Sequence, residues 1–307
     1  MSATAETGFF DTMPFDPTAP LTPSGNLRRR EAVSRAVQIS ATVAALFAVA
    51  VLVIVLFGVA KRGASALSVS FVFRNPSGLA SGGIFNSIIG TVEIVIAGAL
   101  IALPLGILTG LYLTEFSSAR SRTARILKLA LDMMAGLPTI VVGLFVYGLI
   151  VIPQHKESGF AGAVALSIVM LPIMARTSQE VLLLVPNSLR EAADALGVSR
   201  WRTVLSVIIP AATAGIVTGA ILATARAAGE TAPLLICNSL YAQDSTSLNL
   251  FHGVPSISMF IYQSYDLPLP DAVTRAWGAA FVLMMLILIA NIGARLLLAR
   301  SRAKMSR

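Results

Sequence analysis

The sequence predicts an all-α integral membrane protein with six transmembrane helices. Three observations carry that expectation. Of 307 residues, 56% are hydrophobic and only 12% charged, about half the 25% charged share of an ordinary soluble domain. Mean hydropathy is +0.80, and six apolar runs reach the length of about 20 residues needed to cross the hydrocarbon core. The basic residues are also unevenly placed between those runs. A soluble enzyme and a disordered protein are both excluded by such a composition.

The expected spans are 36–60, 84–114, 126–152, 159–176, 205–235 and 276–299. The second and fifth exceed what a bilayer requires, so they should tilt, kink or emerge from it. Pro104, Pro138, Pro172 and Pro210 lie in or beside spans, where neighbouring helices can satisfy the backbone groups that proline frees. Residues 1–35, rich in Pro, Thr and Ser at their start, read as a disordered cytoplasmic tail. They do not form a signal peptide, since the apolar run that follows is too long. The first span is either an uncleaved insertion signal or a structural helix.

The charge of +8 and pI near 10.2 would suggest nucleic acid in a soluble protein. Here they report topology instead. Seventeen of the 23 Lys and Arg fall on the side of the N-terminus, within Arg28–Arg35, Arg120–Lys128, Arg176–Arg202 and Arg295–Arg307. Five (Lys61, Arg62, Arg74, Lys156 and Arg275) fall on the other side, and Arg226 is left inside the fifth span. The split places both termini in the cytoplasm. No nucleic-acid partner is expected. Cys237 is the only cysteine, so no internal disulfide forms, and with two histidines it cannot build a Cys/His metal site.

The cytoplasmic loop 177–204 carries the most specific pattern. Leu189, Ala192, Ala193 and Leu196 recur at helical spacing, Pro186 and Ser188 suit a helix start, and Gly197 suits its stop. Glu191 offers a charged anchor beside small alanines. Two readings fit: a helix docking a cytoplasmic partner, or one lying against lipid headgroups. Glu191-Ala192-Ala193, then Gly197, then Pro210 resembles the EAA loop of ABC importer permeases, the coupling helix seated in a groove of the ATPase. Val207 and Ile209 depart from that pattern by apolar exchange only.

Downstream, Ala225-Arg226-Ala227-Ala228-Gly229-Glu230-Thr231-Ala232-Pro233-Leu234-Leu235 looks like the signature of the PstA type of permease in phosphate-specific importers. Gly90-Thr91, Pro104-Leu105-Gly106, Ala135-Gly136-Leu137-Pro138-Thr139 and Ile261-Tyr262-Gln263 are similar to that family as well. The resemblance covers roughly residues 80–300. It implies a type I, MetI-like permease core with an external segment 230–275, in a bacterial plasma (inner) membrane. It also implies a PstC-type second permease, a PstB-type ATPase dimer that holds ATP and Mg, and a PstS-type extracytoplasmic phosphate-binding protein. This chain itself has no Walker A pattern and needs no cofactor.

A charge within a span costs on the order of 2.5–3.5 kcal/mol on insertion scales, so each requires a reason. Arg226 and Glu230 are four apart and able to pair. They form either a structural ion pair or a substrate path in which the guanidinium meets oxyanions and Glu230 keeps the anion from sticking. Thr231 adds a hydroxyl. Arg176 is a second anion contact or an ordinary cytoplasmic anchor. Glu93 and Asp132 pair with arginines or face water. Gly136, Gly143 and Gly148 are expected to allow close helix packing.

The function expected from the resemblance is an ATP-driven permease for inorganic phosphate, not an enzyme. Alternatives are a permease for sulfate or phosphonate, or a secondary transporter with Arg226–Glu230 in a proton relay. An intramembrane enzyme lacks support, because neither histidine lies in a span and no Gly-x-Ser-x-Gly or His-Glu-x-x-His is present.

Overall fold

The computed structural model describes residues 27–78, 81–118, 120–238 and 248–305. Two compact units divide the chain, Met1–Phe57 and Gly58–Arg307. In the first unit, helix α1 (Leu27–Gly63, running on into the second) has no amphipathic face and is exposed from Arg29 to Phe57. A helix apolar all round takes lipid as its solvent. It begins at Leu27, so the last nine residues of the expected tail are helical; the earlier ones lie outside the described residues.

The second unit follows the element order α2 (Val69–Phe73), a two-stranded antiparallel ribbon β1 (Pro76–Gly78) and β2 (Ser81–Gly82), then α3 (Phe85–Leu111). A π-helical turn, Tyr112–Phe116, prolongs α3. Helices α4 (Arg122–Gly136), α5 (Thr139–Val146) and α6 (Ile152–Gln154) follow, the last two joined by the π-turn Tyr147–Val151. Next come α7 (Gly159–Leu183), α8 (Asn187–Ala195), α9 (Arg200–Thr203), the π-turn Val204–Ile208 and α10 (Ile209–Ala228). Two short helices, α11 (Ala232–Cys237) and α12 (Ile257–Asp266), precede α13 (Pro270–Met305).

Among the described residues, five helices are long and apolar enough to span: Arg29–Gly63, Phe85–Phe116, Gly159–Leu183, Arg200–Ala228 and Pro270–Leu296. The third expected span, 126–152, is no single rod. Its halves Arg122–Gly136 and Thr139–Gln154 meet at 104°, and the break falls at Leu137-Pro138, where the residue before proline is driven into extended backbone. The fifth helix ends at Ala228 rather than Leu235, although the apolar run continues, because Gly229 and the Pro233 turn interrupt it. The fourth runs on from 176 to Leu183.

At the centre, α3 packs against α7 through small residues. A Cβ placed on Gly106 would stand 2.7 Å from Met174 Cβ, and one on Gly110 would stand 2.7 Å from Ser178 Cβ. Gly98 similarly abuts the Ala163 carbonyl at 2.9 Å. Helix α10 approaches α7 in the same way, Gly219 over Thr177 and Gly215 over Val181. Small residues let backbones come close where lipid supplies no hydrophobic drive between helices. Around these contacts lies an apolar core of Ile94, Ala102, Leu166, Met170, Ala223 and Leu234.

The end of α11, α12 and the start of α13 are stitched to this core by buried polar groups. Asn238 brackets Val254, its amide donating to the Val254 carbonyl (2.6 Å) and its oxygen accepting from the Val254 amide (2.8 Å). Thr91 Oγ1 donates to Ser87 O and accepts from the Ile257 amide at 2.8 Å. Arg275 is not an external loop cation but a buried residue of α13. It donates to the carbonyls of Gly82 and Gly83 (3.2 and 3.3 Å) and lies 5.4 Å from the Phe260 ring. Gly82, at φ 86°, occupies backbone that only glycine adopts cheaply.

Of the three glycines expected to promote packing in 126–152, only Gly143 does so, against Pro233 at 2.9 Å from a virtual Cβ. Gly136 and Gly148 face open space within this chain. Gly106→Ala should therefore destabilise the folded protein by about 1–3 kcal/mol, as overpacked cores do. Gly148→Ala should leave its stability unchanged. Thermal unfolding of both variants in detergent measures the difference.

Candidate functional site

Arg226 sits in the last turn of α10, where a cation complements the negative end of the helix dipole. The Gly229 amide donates to the Arg226 carbonyl, and the Glu230 amide to that of Ala227. Glu230 thus lies just past the helix rather than one turn further along it. Its carboxylate still turns back, with Arg226 Nη2 3.8 Å from Glu230 Oε1. That distance exceeds a hydrogen bond, and among the described residues the guanidinium makes none. The Arg226 side chain is 59% exposed and that of Glu230 16%. A cation with its donors unspent stands at the end of an apolar helix.

Thr231 adjoins them at the start of α11 and lines an open pocket of about 360 Å³. Ser258, Ile261, Tyr262, Tyr265 and Asp266 of α12 complete its wall. Ser258 Oγ donates to the Glu230 carbonyl at 3.3 Å, joining α12 to the Arg226 segment. The structure therefore brings Arg226, Glu230 and Thr231 together.

Arg176 is not part of this group. It is hydrogen-bonded to Asp132 of α4, in an open cleft of about 230 Å³ shared with Lys128, Gln179 and Glu180. Thr177 lies against Gly219, seven residues before Arg226, which sets the two arginines about 10 Å apart along the helix axis. Asp132 thereby takes an arginine partner, as one of its two expected readings held. Glu93 lies partly buried on α3, and among the described residues its Oε2 has no hydrogen-bond partner.

In the loop between α7 and α10, α8 starts after Pro186 and ends in a C-terminal motif that requires its glycine. Val198 N donates to Ala193 O and Gly197 N to Asp194 O, with Gly197 at φ 68°. Ala193 is buried, whereas Glu191, Ala192 and Leu196 face outward, Leu196 at 81% exposure. The expected single apolar face is thus split, one alanine inward and the rest outward.

Arg190, one of the seventeen basic residues on the side of the N-terminus, pairs with Glu115, which carries no sequence motif. Arg190 Nη2 lies 2.7 Å from Glu115 Oε1, and Nε donates to both carboxylate oxygens at 3.2 and 3.3 Å. Nη1 donates to Val185 O (2.6 Å) and Asn187 Oδ1 (3.2 Å), and Nη2 also to Leu182 O (3.0 Å). Glu115 is 3% exposed; removing one partner of such a buried pair costs about 3–5 kcal/mol. One signal was available: a carboxylate standing at the end of a long apolar run needs a partner.

The chain matches the model of the family described as "Binding-protein-dependent transport system inner membrane component" over residues 102–303. It is 41% identical over 243 residues to the phosphate transport system permease protein PstA of Haemophilus influenzae, covering 79% of this chain and 85% of that one. This chain belongs to the PstA family of ABC importer permeases. Further members are PstA of Yersinia pestis, 35% identical over 84% of this chain and 87% of that one, and PstA 1 of Mycobacterium tuberculosis, 38% identical over 71% of each. The inward-facing methionine ABC transporter MetNI shares the fold with a TM-score of 0.54 at 18% identity, over 71% of this chain and 94% of that one. As a PstA-family permease the chain is a multi-pass transport subunit rather than an enzyme, within a multi-component ABC importer.

Cys237 ends α11 fully buried, its thiol 3.3 Å from Gly143 O. Burial, and then the Glu157 carboxylate, push it up to about 11. Thiolate is the reactive form, so iodoacetamide at pH 8 should leave Cys237 unmodified in the folded permease and alkylate it after denaturation. Intact-mass measurement reads the outcome.

Proposed function

We propose that this chain forms half of the membrane path by which an ATP-driven importer moves inorganic phosphate inward. Both termini lie in the cytoplasm, with a PstC-type permease as the other half, a PstB-type ATPase dimer below and a PstS-type binding protein outside. The observation that carries the reading is Arg226: a guanidinium half open to its surroundings, with no hydrogen bond spent among the described residues, in a chain whose relatives are phosphate permeases.

The chemistry follows from the geometry. A guanidinium presents paired donors that match two oxygens of a tetrahedral oxyanion. Glu230, 3.8 Å away, lowers the local positive potential without consuming those donors. A site in a conduction path must release what it binds, and a nearby carboxylate weakens the anion's hold to that end. Thr231 and Ser258 add hydroxyls between this group and the pocket under α12. Arg176, tied to Asp132 on the cytoplasmic side, serves as a later relay for the anion only if that pair opens.

The ATPase seats on α8, through the outward Glu191, Ala192 and Leu196, while Ala193 and the Gly197 stop fix the helix on the permease body. ATPase closure displaces α8 and opens the Arg226 region outward. Reopening turns it inward, an exchange between two states of one site.

In a reconstituted complex Arg226→Ala should lower phosphate uptake at least about tenfold with assembly intact, the scale of a lost charged hydrogen bond. Arg226→Lys should retain part of it. Uptake at the unmodified level in the alanine variant would refute the path, and competition by sulfate or phosphonate at equal concentration would refute phosphate selectivity. Glu191→Lys should abolish co-purification of the ATPase; full recovery of the ATPase would refute the docking role of α8.

A further inference from the structure

Three elements converge on one side chain. The guanidinium of Arg190, on α8, takes the Leu182 carbonyl from the last turn of α7 and the Val185 carbonyl from the connector that follows. The same group makes a forked contact with both oxygens of Glu115, on the π-turn that prolongs α3. The last carbonyls of a helix have no partner within it, so Arg190 caps α7 while it binds α3.

Without this contact α8 would be a nine-residue helix on two short connectors, with Ala193 its one buried residue among the described ones. Such a segment swivels when pushed. With the contact it cannot turn relative to the end of α3, and α3 is itself locked to α7 by Gly98, Gly106 and Gly110. A point-charge ammonium could not reproduce the fork, because the geometry uses donors in a fixed plane.

We propose that Arg190 and Glu115 are positioning residues of energy transduction. They make α8 a rigid extension of the α3–α7 pair, so that ATPase motion is delivered to that pair rather than dissipated in the loop. The inference rests on the docking role given to α8 above. It differs from transmission along the other connector, Val198–Thr203, into α10. Leu182 and Val185 support the same junction from the apolar side, packing with Leu111, Met174 and Val204.

The test uses the complete complex in liposomes, with ATP hydrolysis and phosphate uptake measured on the same vesicles. Glu115→Gln and Arg190→Lys should assemble and hydrolyse ATP within about twofold of the unmodified complex, while phosphate moved per ATP falls about tenfold, within the usual range of coupling between sites. Arg200→Gln, an exposed cation nearby, should leave the ratio unchanged. A ratio unchanged in both latch variants, rates that fall in parallel, or loss of assembly in both would overturn the inference.

A second measurement does not depend on the substrate. Spin labels at Ser188→Cys on α8, exposed and outside the docking face, and Leu100→Cys on α3 should report one narrow distance with and without nucleotide in the otherwise unmodified complex. The distribution should broaden when Glu115→Gln is added. A distance that shifts with nucleotide before that change would overturn the rigid junction. Absence of phosphate uptake by the unmodified complex would instead refute the phosphate reading and leave the distance result to decide the latch.

Discussion

The close approach of α3 to α7 is the contact on which the rest of the unit from Gly58 onward depends. Lipid offers helices no gain from burying leucine against leucine, so association must come from packing and polar contact. Gly98, Gly106 and Gly110 provide the packing by removing the side chains that would hold the backbones apart. Helix α7 then serves as the common wall: α10 leans on it through Gly215 and Gly219, α11 packs beside it through Gly162, and Leu250 and His252 hang from its first turn through Phe160 and Gly159. Arg226 owes its place to α10, and α8 owes its own to the far end of α7.

Two kinds of polar group stand apart in this protein. Some hold the fold through saturated hydrogen bonds: Asn238 around Val254, Thr91 between Ser87 and Ile257, Arg190 across Glu115. Arg226, by contrast, is half exposed and only loosely paired, and Glu93 keeps one oxygen without a partner among the described residues. A saturated group specifies structure because losing it leaves a buried charge or donor stranded. An unsaturated one is available for a ligand.

The spans were legible in the sequence because long apolar runs and the asymmetry of basic residues are one-dimensional signals. Gly197 was legible too, as a helix stop demanding positive φ. The break at Leu137-Pro138 was not, since hydropathy averages over it and proline alone does not say whether a helix kinks or turns through 104°. The end of α10 was masked by apolar residues that continue to Leu235 in a different helix. Arg190 and Glu115 are 75 residues apart, and nothing local to either names the other. Arg275 looked like a loop cation because its burial is produced by the ribbon and α12 folding over it. Of the proposed path, the sequence yielded the Arg226, Glu230 and Thr231 cluster but not the opening left beside it under α12.

The right-angled break between α4 and α5 also bears on what must lie beside it. A helix leaves its last carbonyls unpaired, and here Gly136 and Leu137 are open on the outside. In hydrocarbon each unsatisfied backbone group costs several kcal/mol, so such a corner is stable only when covered by protein or reached by water. Set in hydrocarbon without a covering neighbour, the corner would carry that penalty, and a protein surface packed over Gly136 and Leu137 would remove it.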